Sequence, residues 1–262
     1  MEYQTIKTEE RGNSFIITLD RFEARNAINN RMQEELSDAL EYWDTTAELR
    51  ACIITNTGPV FCAGSDLKEI ANGTHRMPEG KEDWGFAGMT QRYFDKPLIA
   101  AVRGKCLGGG LEIVVACDLA IASNDSIFGY PEPRVGLTAA GGGSLIRLAQ
   151  QIPTKFANEL LLLAEPVSAE KALEWGILNR VVSDDEVVDK ALEFADKIAL
   201  GAPLAIKYSK RTAYETMSES SIFPSKGWDI LKKYEKITRG SEDAHEGSTA
   251  FAEKRPPIWS GC

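Results

Sequence analysis

The residues best suited to chemistry lie in one short run, Gly108-Gly109-Gly110-Leu111-Glu112, which follows an apolar segment and opens a helical pattern. Backbone N–H groups in the first turn of a helix have no intrahelical partner, and the macrodipole adds positive potential there. Glycines let a ligand oxygen reach that backbone without meeting a Cβ. The same glycines would also serve a plain tight strand–helix turn. No Gly-Lys-Ser/Thr follows them, so the run is not a Walker-type phosphate loop. Glu112 lies three residues after Gly109, on the same helix face as that amide. The apolar Ile113-Val114-Val115-Ala116 behind it implies a buried helix, where a carboxylate is desolvated unless it has a task or a partner. The bland alternative is an ordinary first-turn glutamate that complements the dipole. A second carboxylate, Glu132, ends the run Phe128-Gly129-Tyr130-Pro131-Glu132.

These groups need a rigid frame. Phe15–Leu19 and Ala51–Thr55 read as strands, with Met32, Leu36, Ala39, Leu40 and Trp43 at helical spacing between them. Pro97–Val102 is nearly all apolar, as expected of a strand buried on both faces, and Leu119–Ala122 is a further strand. A helix is expected over Leu111–Cys117. The stretch from Asn72 to Gly88, rich in Gly, Pro and charge, reads as a mobile surface segment. Strands alternating with helices imply an α/β core with largely parallel pairing. Helical patterns then cover Phe156–Ala164, Ala169–Trp175, Glu186–Leu200, Pro203–Met217 and Ser221–Lys236, with Ser168 and Asp184 at N-cap positions and Gly176 at a C-cap. The expected division is an α/β core over residues 1–200 and a helical C-terminal region over 201–262.

At 262 residues the chain is long enough to bury roughly three quarters of its unfolded surface, so its core needs no staples. A net charge of −9 argues against a nucleic-acid or anionic-membrane binder, and means that any anionic ligand must be met by a few local cations. The five scattered cysteines form no CxxC pair and no zinc spacing, which suggests reduced thiols in a cytoplasmic setting and no metal. The sequence shows no signal-peptide pattern and no apolar run of the roughly 20 residues a membrane span needs.

Several motifs, taken in order, resemble the crotonase (enoyl-CoA hydratase/isomerase) superfamily. They are Phe61-Cys62-Ala63-Gly64-Ser65-Asp66-Leu67-Lys68-Glu69, then Ala100–Lys105 through Gly108–Glu112 to Asp118, then Phe128–Glu132 with Gly136 and Gly141-Gly142-Gly143, and last Phe251–Arg255. Gly85–Thr90, Trp175–Val182 and Ser241–Gly247 most resemble the branch that dehydrates carnitinyl-CoA. The resemblance implies a spiral of ββα units with a helical C-terminal trimerisation region, and assembly into trimers or hexamers. It implies an oxyanion hole from the Ser65 and Gly109 amides and catalytic glutamates at Glu112 and Glu132. Coenzyme A contacts map to Ala24, Ser65, Asp66, Leu67, Lys68, Gly109 and Lys254. No cofactor is implied, coenzyme A being part of the substrate.

With both glutamates present, the implied reaction is reversible hydration of a 2-enoyl-CoA thioester. Water must attack Cβ and a proton must reach Cα, so Glu112 would deprotonate the water and Glu132 would deliver the proton. Fixed N–H donors facing the enolate oxygen are worth roughly 3–4 kcal/mol each. Two close carboxylates in a dry pocket repel, which raises one pKa and leaves an acid beside a base. Alternatives are a Δ3-Δ2 enoyl-CoA isomerase, which needs one base, and a non-catalytic protein of this fold that binds RNA or a protein partner. The sequence departs from the family at Phe22, where proline is usual, and at Thr138-Ala139-Ala140 after the second glutamate.

Other residues have bland readings. His75 and His245 read as solvated surface histidines, Glu34-Glu35 and Asp184-Asp185-Glu186 as solvated helix starts. Lys232, Lys233 and Lys236 share a helix and suit either a solvated face or coenzyme A phosphates. Trp84, Phe86 and Tyr130 are candidate acyl-pocket aromatics that sequence alone does not place.

Overall fold

A computed structural model describes residues 3–217 and 226–262. The chain falls into two compact units, Met1–Ala195 and Asp196–Cys262.

The first unit is built on two sheets. The larger has the strand order β1-β2-β3-β5-β7-β10, from β1 (Ile6–Arg11), β2 (Ser14–Leu19), β3 (Ala51–Asn56), β5 (Leu98–Val102), β7 (Leu119–Ser123) and β10 (Arg180–Val182). The smaller runs β4-β6-β8-β9, from β4 (Val60–Cys62), β6 (Lys105–Leu107), β8 (Ile127–Gly129) and β9 (Val167–Ser168). Each of β3, β5 and β7 enters the large sheet, and each is followed by β4, β6 or β8 in the small one. A helix then closes the turn: α2 (Leu67–Ala71), α3 (Gly109–Ala116) or α4 (Ser144–Gln151). This is the spiral of ββα units. Within each sheet these strands are parallel, while β1 pairs antiparallel with β2 and β9 with β8.

Burial explains the pattern. All of β3 and β5 are buried, which is why they read as continuous apolar runs. Helix α1 (Asn30–Thr45) buries Met32, Leu36, Ala39, Leu40 and Trp43 on one stripe, and the Asn29 side chain caps it by accepting from the Met32 N–H at 2.9 Å. Strand β1 gave no such signal, because only Ile6 of its six residues is buried.

Three expectations need correction. Glu35 is not solvated: its buried carboxylate accepts from the Gln4 and Thr5 N–H groups, each at 2.8 Å, and from Arg31. Burial alone would raise its pKa, but these donors and the Arg31 charge hold it below the usual value. Asp184 is not the N-cap of the next helix. Ser183 forms the capping box with Glu186, and Asp184 pairs with Arg103 instead. The end of the 72–88 stretch is not surface either, since Phe86, Ala87 and Gly88 are buried against α1, where Gln33 accepts from the Ala87 N–H.

Helices α5 (Thr154–Leu163), α6 (Ala169–Glu174) and α7 (Val187–Ala199) fall where periodicity places them, with Ser168 capping α6. The second unit holds α8 (Pro203–Thr216), α9 (Gly227–Arg239) and α10 (Glu242–Glu253). The expected start of the fifth C-terminal helix at residue 221 lies outside the described residues, and α10 was not anticipated. Tyr208 and Tyr234 stack between α8 and α9 with ring centroids 4.8 Å apart. The chain end folds back on α10: the Asp243 carboxylate accepts from the Ser260 N–H at 2.7 Å, and Arg255 forks onto Glu246 at 2.7 and 2.9 Å. Among the described residues no helix is long and apolar enough to cross a membrane.

Candidate active site

The small sheet gathers the chemistry. Cys62 stands opposite Cys106, and Leu107 opposite Gly129, so the segments that follow β4, β6 and β8 all leave from one edge. Those segments carry Ser65, then Gly108 and Gly109, then Glu132.

Ser65 sits in a lone parallel bridge with Ile28. Ile28 donates to the Gly64 carbonyl at 2.8 Å and accepts from the Asp66 N–H at 2.9 Å. The peptide between them therefore aims its own N–H away from Ile28. Gly64 packs directly on Gly109, a Cβ on Gly64 falling 3.0 Å from the Gly109 nitrogen. Among the described residues, neither the Ser65 nor the Gly109 N–H has an acceptor. Gly109 opens α3, so its N–H is one of the orphan donors of a helix start. Two adjacent free amides can bind a carbonyl oxygen that gains negative charge.

Both glutamates border these amides. Glu112, on α3, is only 3% exposed, and its Oε1 has no hydrogen-bond partner among the described residues. Burial raises its pKa, opposed by the backbone N–H groups of Gly142 and Ser144 and by the Arg147 charge. Gly142 must approach closely to do this, as a Cβ there would stand 2.5 Å from the Glu112 Cβ. Glu132 follows β8 in a 3-10 turn, half-buried, and its Oε2 has no hydrogen-bond partner among the described residues. Burial raises its pKa as well; its own backbone N–H pulls the other way, and the nearby Glu112 charge pushes it further up. Both carboxyls are shifted, not one, because burial acts on each. A pair of buried carboxyls with raised pKa values beside two free amides is suited to proton transfer next to a developing oxyanion.

The three aromatics divide cleanly. Phe86 lies on Gly109: a Cβ there would meet the Phe86 Cζ at 2.6 Å. Tyr130 is fully buried and donates to the Ser144 hydroxyl at 2.6 Å. Trp84 is taken, with the Arg92 guanidinium 3.9 Å and the Lys81 ammonium 4.8 Å from its ring centroid. Both cations already engage its ring. The placement of Phe86 was readable only in hindsight, from the glycines that bracket it at 85 and 88. Nothing in the sequence signalled the Tyr130–Ser144 pair.

The remaining expected contacts are dispersed. Asp66 caps α2 by accepting from the Lys68 N–H at 3.0 Å, and it pairs with Arg21 at 2.8 Å. Burial opposes ionisation of Asp66, and those two partners more than offset it. Leu67 and Lys68 are exposed, and Ala24 is partly buried in a turn of the first unit. Lys254 belongs to the second unit, where it ends α10 in the left-handed conformation, and Phe251 near it is 88% exposed. His75 and His245 are exposed. Among the described residues no cluster of three or more His, Cys, Asp or Glu is gathered as a metal site requires.

Comparison with known proteins bears on the family and the fold. The family model described as "Enoyl-CoA hydratase/isomerase" matches residues 9–262. A carnitinyl-CoA dehydratase from Proteus mirabilis is 40% identical over 98% of this chain and 99% of its own length. The crystal structure of an enoyl-CoA hydratase from Mycobacterium tuberculosis H37Rv is similar at a TM-score of 0.91 and 40% identity, over 98% of this chain and 99% of that one. A carnitinyl-CoA hydratase from Mycobacterium avium is similar at 0.78 and 43% identity, with full coverage of both chains.

Proposed function

The chain belongs to the enoyl-CoA hydratase/isomerase family, and from that premise we propose that it catalyses the reversible hydration of a 2-enoyl-CoA thioester, with Glu112 and Glu132 as its acid–base pair. The observation that carries this reading is the pair of buried, incompletely hydrogen-bonded carboxyls beside the free Ser65 and Gly109 amides. In the hydration direction Glu112 takes a proton from water as its oxygen attacks Cβ. Electron density moves onto the thioester oxygen, which the two amides hold as an enolate. Glu132 then gives its proton to Cα, and dehydration reverses each step. The proton balance needs neither a metal nor a redox cofactor.

For the acyl group the reading follows the relatives named for carnitinyl-CoA, and two acidic groups suit a trimethylammonium substituent. With Trp84 engaged by Arg92 and Lys81, Phe86, which packs on Gly109, is the aromatic proposed to line the acyl site. The coenzyme A moiety is assigned to the segments around Ala24 and Ser65–Lys68, with Lys254 as a cation for its phosphates. Self-association into trimers or hexamers and a cytoplasmic location are proposed on the family likeness.

The test is direct assay with crotonobetainyl-CoA and with short, long and branched enoyl-CoAs, following loss of the conjugated double bond. Water addition supports the reading. Migration of a double bond from position 3 to 2 without water addition would replace it with isomerisation. Salt-dependent RNA binding without turnover on any thioester would remove the enzymatic reading altogether.

A further inference from the structure

Tyr130 joins the two halves of the acid–base pair. It follows β8 directly and lies two residues before Glu132, so the chain that leaves it carries one carboxyl. Its side chain is tied, through Ser144, to the segment that packs against the other carboxyl. The ring is fully enclosed and the hydroxyl donates at 2.6 Å to Ser144 Oγ, itself fully buried. Ser144 is the first residue of α4, and Gly142, two residues before it, packs on Glu112: a Cβ there would stand 2.5 Å from the Glu112 Cβ and 3.1 Å from its Oε2.

We propose that Tyr130 is a positioning residue: its hydrogen bond to Ser144 fixes the first turn of α4 to the end of β8 and so holds Glu112 and Glu132 at one set separation and orientation. Phenylalanine would fill the same volume but would leave the buried Ser144 oxygen without its donor. Tyr130 does not exchange protons itself. Burial, opposed by the Ser144 contact and reinforced by the charges of Glu112 and Glu132, keeps its hydroxyl protonated well above the ordinary value. It therefore donates the same hydrogen bond across the working pH range. The charged or titratable groups facing Glu112 are Arg147 on α4, Glu132 and Tyr130. Loosening the α4 turn weakens the influence of the Gly142 and Ser144 N–H groups and of Arg147, all of which favour the ionised form of Glu112.

The proposal rests on the acid–base reading above, and its test separates the two. Tyr130→Phe, Ser144→Ala and the double variant are compared with the wild type in two measurements. One is the carboxyl titration of Glu112 by carbon NMR without substrate, assigned by difference from Glu112→Gln. The other is the pH profile of hydration. In either single variant the Glu112 titration and the acidic limb of the profile are expected to move to higher pH. kcat should fall about tenfold with KM within twofold, the scale of a small misplacement of a reacting group. The double variant should be no worse than either single one, because both remove one link. A Glu112 titration unmoved in both single variants, or additive losses in the double one, would overturn the proposal. Should Tyr130→Phe fail to fold, Ser144→Ala alone decides by the same titration. If the wild type hydrates no enoyl-CoA, the acid–base reading falls, while the substrate-free titration still reports on Tyr130.

Discussion

The Glu132 carboxylate occupies the space that a side chain on Gly108 would need: a Cβ there would stand 2.7 Å from Glu132 Oε1. Gly108 also has φ +56° and ψ −127°, a backbone conformation that other residues adopt only under strain. Gly108→Ala should therefore displace Glu132 and cost about 1–3 kcal/mol in stability. We expect kcat to fall by roughly 10- to 100-fold from misplacement alone. Thermal melting and steady-state kinetics check both, and unchanged kcat in a folded variant would show that Glu132 is not held where the structure has it.

Glu112→Gln and Glu132→Gln should each lower kcat by about 10²–10⁴ with little change in ligand binding, the scale of a lost acid–base group. Intact hydration in either variant refutes the two-carboxylate mechanism.

The same variants should gain stability at neutral pH. Both folded-state pKa values lie above the unfolded ones, so between the two values the native protein holds more protons than the unfolded chain. Stability must therefore decrease as pH rises from the ordinary carboxylate range through the raised folded values, then level off. Neither glutamine variant carries its share of that slope. Denaturant melts of wild type and variants across this range measure it, and a slope unaffected by either substitution would contradict the burial of these charges.

Asn26 predicts the largest stability loss away from the carboxylates. It is fully buried at φ +50°, accepts from the Arg21 N–H at 2.8 Å, and donates to the carbonyls of Thr57 at 3.0 Å and Val60 at 2.8 Å. Asn26→Ala orphans all three groups, at a cost of about 1–3 kcal/mol for each one left unsatisfied. A change in unfolding free energy below about 1 kcal/mol would mean that water or a rearranged loop replaces these bonds.

Lys254→Ala should raise KM for the coenzyme A ester several-fold, more at low salt, and leave kcat nearly intact, since a phosphate contact is alike in ground and transition states. KM measured at two ionic strengths decides it, and no change at low salt removes Lys254 from the proposed coenzyme A contacts.

The sequence made β3, β5 and the start of α3 plain, because fully buried parallel strands and a glycine-led helix carry strong local patterns. Glu112 and Glu132 stood out for a related reason, each being a charge among apolar or turn residues. Strand β1 was hidden because an edge strand with one buried residue has no alternation to detect. Glu35 was misread because its partners, Gln4 and Thr5, are 31 and 30 residues distant, and a local window sees only its charge. Tyr130 was invisible as a donor for the same reason, since whether a buried hydroxyl is used depends on what tertiary packing brings to it.

The site hangs on the weaker of the two sheets. Strands β4, β6 and β8 are three residues long, and β4 pairs with β6 at only two positions, whereas β1, β2 and β3 have six residues each. Short ladders open at lower free energy than long ones. The edge that presents Ser65, Gly109 and Glu132 is therefore expected to open before the large sheet does. Amide exchange in Cys106 and Phe128 should then be faster than in Ile53 and Ala100, although all four are equally buried. Catalytic competence should disappear at a denaturant concentration where far-ultraviolet dichroism still reports a folded chain. On those outcomes, the useful stability of this protein would be that of its small sheet.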